Sequence, residues 1–370
     1  MKPRLPTVPV VAWIMLVALL ATWLLTWSPT AAAAGSAVDL EARSRALQRA
    51  RQAVLGVQAV AVDEARSANT LGKARSGSGV VIGADGLVLT IGYLVLEAED
   101  VALVRDDGRL VPARVLAYDV ATGFGLLQAL TPLGLDPVPL GRSAELTPQE
   151  PLMIASGGGD GAVSMAQLVS RRAFAGYWEY HIEGALFTAP PRRDHSGAGL
   201  FNSVGELVGV GSLLVADTAG SADGTADGVA DSAADSAADG DTKRPRRSGN
   251  LFVPVDLLTP ILAELRSRGF SAASRRAWLG MNCAVQDGRV RVLRVSDDSP
   301  ADVAGLEAGD RILRIDGTEV RALDQLWKTL WAGGAPEREI RLEIERGNAP
   351  QTLTVFSVDR MKTLKRAAGI

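Results

Sequence analysis

The sequence predicts a mainly β protein: an all-β barrel or sandwich unit, then a smaller α+β unit, behind an apolar N-terminal helix. Three observations carry this. Short β-rich runs recur between Val54 and Val255, many of them separated by Gly, Asp-Gly or Pro, a pattern typical of barrels and sandwiches. A differently ordered set of strands and two helices fills Arg276 to Asp359. An apolar run from Val8 to Trp27 precedes both, and about 20 such residues suffice for a helix to span a bilayer.

Composition narrows the function classes. With 370 residues the chain has room for two or three domains at roughly 100–200 residues each. Apolar residues at 47% and charged residues at 22% describe globular protein rather than disordered chain. A net charge of −3 leaves no basic excess to neutralise a phosphate backbone, so nucleic acid is not expected as a partner. Cys283 is the single cysteine, which rules out an internal disulfide and a Cys-rich zinc site. The two histidines, His181 and His195, restrict every metal and acid–base hypothesis; no metal and no cofactor are expected.

The elements follow in chain order. Lys2 and Arg4 flank the apolar run on its short side, which keeps that side cytoplasmic and exports the rest. Residues 1–35 therefore read as a membrane anchor, or as a signal segment if the small residues Ala31 to Ala34 mark a cleavage site. Helical spacing of Leu40, Ala46, Leu47 and Ala50 predicts a helix from Val38 to about Ala53. Strands are predicted over Val54–Val62, Ser78–Ile82, Leu87–Thr90, Val101–Val104, Val111–Ala117, Gly125–Ala129, Leu207–Val215 and Leu251–Val255. Between the last two lies 216–250, where Asp recurs every fourth residue among Ala, Gly and Ser; this cannot bury a core and reads as a disordered loop. Its period of four does not fit the alternate acidic ligands of a calcium loop. A helix from Asp256 to Arg268 then ends at Gly269. The α+β unit (276–360) reads strand 279–284, strand 289–295, helix 300–304, strand 311–315, helix 323–331 and strands 339–346 and 352–358, before a basic tail, 361–370.

Two stretches carry the chemistry. The first, Gly77 to Thr90, reads GSGVVIGADGLVLT and continues Ile91-Gly92-Tyr93-Leu94-Val95. The second runs Asp194-His195-Ser196-Gly197-Ala198-Gly199-Leu200-Phe201-Asn202 and continues Gly205-Glu206-Leu207-Val208-Gly209-Val210. Together they resemble the HtrA/Deg family of trypsin-fold serine proteases. The C-terminal unit resembles that family's PDZ domain through Ser299-Pro300-Ala301, Ala304-Gly305-Leu306, Gly309-Asp310 and Ile315-Asp316-Gly317. The resemblance implies a trypsin-like double β-barrel over 36–270 and a PDZ-like domain over 276–360.

Carried over residue by residue, the resemblance puts Ser196 at the nucleophile position. It puts Tyr93 where the family has its histidine. The stretch Asp119 to Gln128, DVATGFGLLQ, puts Gly123 at the aspartate position. Asp194 stands two before the nucleophile, where a glycine N–H normally helps form the oxyanion hole. Tyr93 is placed to hydrogen-bond Ser196, yet a phenol with an ordinary pKa of about 10 is a poor base at neutral pH. Losing a triad serine or histidine costs on the order of 10⁶ in turnover. His195 is the immediate neighbour of Ser196, and adjacent side chains in extended chain point apart. His181 lies in an aromatic, β-like run.

The PDZ-like unit implies a second site. Such a groove takes an extended peptide as an added strand and holds its terminal carboxylate on loop N–H groups. The resemblance assigns that loop to Trp278-Leu279-Gly280-Met281, with Leu326 or Trp327 and Leu330 on the facing helix lining either groove or core. The expectation is an HtrA-like envelope protein of the bacterial periplasm, anchored to the inner membrane. Its partners would be C-terminal or unfolded peptide segments, its protease-fold domain would be inactive or weakly active, and the family resemblance implies a homo-oligomer, a trimer. The alternative is an active serine endopeptidase using Ser196.

Overall fold

The computed structural model of the chain describes residues 30–158, 161–220 and 247–365. The expected membrane-spanning run, positions 221–246 of the Asp/Ala-rich stretch and positions 366–370 of the tail lie outside the described residues. Among the described residues, no helix is long and apolar enough to cross a membrane.

Helix α1 (Thr30–Gln52) starts earlier than its apolar spacing suggests, because the alanines ahead of that spacing are the strongest helix formers. The unit that begins at Leu47 carries everything that follows. Strands β1 (Val54–Ala61), β2 (Ala74–Val81), β3 (Leu87–Ile91), β4 (Ala98–Val104), β5 (Leu110–Tyr118) and β6 (Phe124–Ala129) close into a barrel in the order β1-β2-β3-β6-β5-β4. A short helix, α2 (Gly92–Val95), follows β3 and carries Tyr93.

A second closed barrel follows. It contains β7 (Pro151–Ala155), β8 (Val163–Ala175), β9 (His181–Ala189), β10 (Gly199–Phe201), β11 (Leu207–Val215) and β12 (Gly249–Pro254), in the order β10-β11-β12-β9-β8-β7. Strands β11 and β12 pair across the Asp/Ala-rich stretch. One apolar cluster runs through both barrels and includes Val80, Leu89 and Phe124 from the first and Phe187, Phe201 and Val253 from the second. Strand β12 is buried along its whole length, as its continuous apolar run Leu251-Phe252-Val253 requires.

The helix expected from Asp256 to Arg268 is split. A 3₁₀ turn covers Val255–Leu257, and α3 spans only Leu262–Arg268. Pro260 sits between them; it has no N–H to donate, and its ring disfavours helix in the preceding residue.

The C-terminal unit has strands β13 (Ala277–Trp278), β14 (Met281–Gln286), β15 (Arg289–Val295), β16 (Arg311–Ile315), β17 (Thr318–Glu319), β18 (Glu339–Arg346), β19 (Ala349–Phe356) and β20 (Val358–Asp359). Its main sheet runs β14-β15-β16-β18-β19, with β17 on β16, while β13 pairs with β20. Helix α4 (Pro300–Val303) is capped by Ser299, which accepts from the Asp302 N–H, and Pro300 occupies the tolerant first turn. Helix α5 (Leu323–Ala332) buries Leu323, Leu326, Trp327 and Leu330, the i, i+3, i+4, i+7 stripe of a helix facing a core. Strand β14 is an end strand of its sheet: it pairs with β15 along one edge only.

Candidate active site and peptide groove

Ser196 lies in the loop between β9 and β10, next to the first barrel. Its carbonyl accepts from the Ser78 N–H of β2 at 2.8 Å, and the next residue, Gly197, donates to Gly211 of β11 at 2.8 Å. The loop is thus tied to both barrels. Tyr93, on α2, meets it from the other side: its Oη is 2.7 Å from Ser196 Oγ and 2.8 Å from the Ser212 carbonyl. A phenol has one proton. The carbonyl can only accept, so with both bonds formed Tyr93 donates to Ser212 and the Ser196 hydroxyl donates to Tyr93 Oη.

That is the arrangement of a nucleophile and a base, with the wrong base. Burial pushes the Tyr93 phenol well above its ordinary pKa, and the Ser196 hydrogen bond only partly offsets this. At neutral pH Tyr93 is a neutral phenol and holds no free charge to pull the proton from Ser196.

Gly123 is in a left-handed conformation (φ +82°) in the turn before β6. Its N–H donates to the Asp119 carbonyl at 2.7 Å, and its own carbonyl accepts from the Gly92 N–H at 2.7 Å. The space a side chain would need is taken: a Cβ there would lie 2.8 Å from Tyr180 Oη. Tyr180 is buried and donates to the Thr122 carbonyl at 2.6 Å. The nearby buried carboxylate, Asp119, is spent on structure. It accepts from Thr122 N and Oγ1 (3.0 and 2.6 Å), Ser271 N (3.0 Å) and Ser274 Oγ (2.5 Å). Burial alone would raise its pKa, but these donors hold it below the usual carboxylate value.

Asp194 is exposed and pairs with Arg192, whose Nε lies 2.9 Å from Oδ1 and whose Nη2 contacts Oδ2; Ser156 Oγ also bonds Oδ2. Burial opposes ionisation here, yet Arg192 and Ser156 keep the carboxyl ionised below the ordinary range. A fixed negative charge therefore stands two residues before Ser196. His195 turns to the Arg192 carbonyl, to which Nδ1 donates at 3.0 Å. His181 lies on β9 beside Glu183, Nε2 to Oε1 3.7 Å, and burial depresses its pKa.

At the groove, the backbone N–H groups of Leu279, Gly280 and Met281 converge on one carboxylate. It is the side chain of Glu179, in the loop between β8 and β9: Oε1 lies 3.1, 2.7 and 3.2 Å from the three nitrogens. Leu326 and Leu330 are fully buried in the apolar core of the unit. Glu179 and Tyr180 were not foreseen as site residues from the sequence, whereas Trp327 falls on the buried side of its helix, as its spacing suggests. The available signal was an acid, Glu179, inside the aromatic run Tyr177-Trp178-Glu179-Tyr180.

Comparison with known proteins accords with this geometry. Residues 77–210 match the family model of the trypsin-like peptidase domain, and 277–356 match that of the PDZ domain. The mitochondrial serine protease HTRA2 of Bos taurus is 29% identical over 292 residues, covering 76% of this chain and 59% of the relative. The putative serine protease HhoB of Synechocystis is 27% identical over 76% of this chain and 65% of its own length. The chain carries a trypsin-like peptidase domain and a PDZ domain and is similar to HtrA-type serine proteases. A probable periplasmic DegP-like serine endoprotease of Ectopseudomonas mendocina is 26% identical over 75% of this chain and 55% of its own length. The chain thus spans somewhat more than half the length of these relatives. A solved variant of the HtrA-type protease AlgW with tripeptide shares the fold, with TM-score 0.51 and 20% identity over 86% of this chain and 97% of that one.

Proposed function

We propose that this HtrA-like protein works through its PDZ groove, binding carboxyl-terminal or unfolded peptide segments of envelope proteins, while its protease-fold part is inactive or weakly active. The single observation that carries the reading is the Tyr93–Ser196 pair: a serine hydroxyl 2.7 Å from a neutral phenol instead of a base. Two further features support it. The Gly123 turn has no room for an orienting carboxylate, and the residue two before Ser196 is Asp194, its side chain tied to Arg192 and Ser156, rather than a glycine. Three convergent N–H donors at Leu279–Met281 support carboxylate binding at the other site. The names of the relatives, periplasmic endoproteases among them, support placing the protein in the periplasm. With the apolar run Val8 to Trp27, we place it on the inner membrane as a homo-oligomer, a trimer by family resemblance.

A fluorophosphonate probe tests the reading. The folded protein, incubated with saturating peptide, is expected to leave Ser196 unlabelled by mass spectrometry. Stoichiometric labelling at Ser196, together with turnover of an unfolded substrate that Ser196→Ala abolishes, would replace this proposal with the serine endopeptidase.

A further inference from the structure

The carboxylate-binding loop already has a carboxylate. Glu179 accepts from all three N–H groups that a peptide terminus would use. The rest of its loop also follows the path of a bound peptide. Two residues before Glu179, the Tyr177 carbonyl accepts from the Cys283 N–H at 2.6 Å. Met281 and Cys283 are likewise two apart on β14, but in the opposite sense. The pairing therefore has the register of an antiparallel strand added to the open edge of β14. One residue further back, the Gly176 carbonyl accepts from Trp327 Nε1 of α5 at 3.0 Å, reaching the opposite wall. The loop lies between strand and helix, held on both sides.

Its ends are fixed as well. Tyr180 donates to Thr122 in the first barrel and stacks on Trp178, with ring centroids 5.6 Å apart. Just beyond the loop, Glu183 of β9 pairs with Lys328 of α5 at 2.9 Å.

We propose that the segment Gly176–Tyr180 is an internal ligand of the PDZ groove, the Glu179 side chain standing in for a peptide's carboxyl terminus, so that external termini bind only by displacing it. This rests on the peptide-binding reading of the groove. The apparent affinity for an external peptide is then reduced by the fraction of molecules whose groove is open.

Amide hydrogen exchange on the whole protein tests the occlusion without any ligand. In the parent, the amides of Leu279, Gly280, Met281 and Cys283 should be protected; in Glu179→Ala and Glu179→Arg they should exchange at least about tenfold faster, with the barrel strands unchanged. Equal exchange at these four amides, in variants whose circular dichroism shows them folded, overturns the proposal. An array of random octapeptides with free C-terminal carboxylates, and the same array amidated, gives the second readout. The variants should retain the free-carboxylate peptides about tenfold more tightly than the parent does, and the amidated ones no better. Equal retention by parent and variants also overturns self-occlusion. Faster exchange without retention by any form would support occlusion and instead remove the peptide-binding reading.

Discussion

Placing the histidine and aspartate that the family resemblance implies at positions 93 and 123, as Tyr93→His with Gly123→Asp, tests whether two substitutions suffice to make Ser196 a nucleophile. The structure says they do not, because position 123 resists. A left-handed φ disfavours any L side chain, and the new Cβ would meet Tyr180 Oη at 2.8 Å. Strain of about 1–2 kcal/mol for the backbone, crowding of about 1–3 and loss of the Tyr180–Thr122 bond at about 0.5–1.5 place the cost of Gly123→Asp at roughly 2.5–6.5 kcal/mol. At about 2–3 °C per kcal/mol, thermal unfolding followed by circular dichroism should shift down by about 5–20 °C. Tyr180→Phe removes the oxygen that the new Cβ meets, so Gly123→Asp should cost about 1–3 kcal/mol less in that background. Fluorophosphonate labelling of the Tyr93→His/Gly123→Asp form should stay absent. A double variant that melts within a degree or two of the parent and labels at Ser196 would refute the reasoning, since it would mean that Tyr180 yields its place freely.

Further outcomes follow from the same geometry. Gly280 has φ +86°, and a Cβ there would fall 2.3 Å from Ser299 Cβ; Gly280→Ala should therefore cost about 2–4 kcal/mol and abolish peptide retention, read by denaturant unfolding and by the array. Asp119→Ala leaves buried donors from Thr122, Ser271 and Ser274 unpaired and should destabilise by about 3–5 kcal/mol in urea unfolding. Because the Asp119 pKa is lowered in the fold, its stabilisation is present above the ordinary carboxylate pKa and is lost on acidification through the lowered value. The pH dependence of the loop has the opposite sign. Burial raises the docked Glu179 carboxyl to about 7, against the pull of the three N–H donors and the Arg360 charge; Arg276 and the buried Cys283 thiol also face it. Docking is then strongest below the ordinary value of 4.5 and weakens as pH rises through 7, so external peptides should bind more tightly at pH 8 than at pH 5.5, with Glu179→Gln flat across that range.

Much of the fold was legible because its strands announce themselves locally. Leu87-Val88-Leu89 and Leu251-Phe252-Val253 are continuous apolar runs, and both form fully buried strands. Strand β8 was harder to read. Its 13 residues alternate exposure and put Arg171 and Arg172 in succession, so the apolar signal is diluted by the solvent face. Pro260 was a readable break that the surrounding leucines outweighed. At the site, Tyr93, Gly123, Asp194 and Ser196 could be named from motif positions, and a Tyr93–Ser196 hydrogen bond expected from them, but not the second acceptor, the Ser212 carbonyl 119 positions from Tyr93. Glu179 was least legible: its partners lie 100 to 102 positions away and offer only backbone, which leaves no side-chain pattern to read.

The seat of Tyr177 on β14 also bears on solubility. An end strand with unpaired N–H and C=O groups is a template for pairing with other chains. In this molecule that edge is sheathed by the protein's own loop, so the resting form does not offer it to a neighbour. On the displacement proposed above, each opening of the groove would bare the edge until a guest or the loop covered it again.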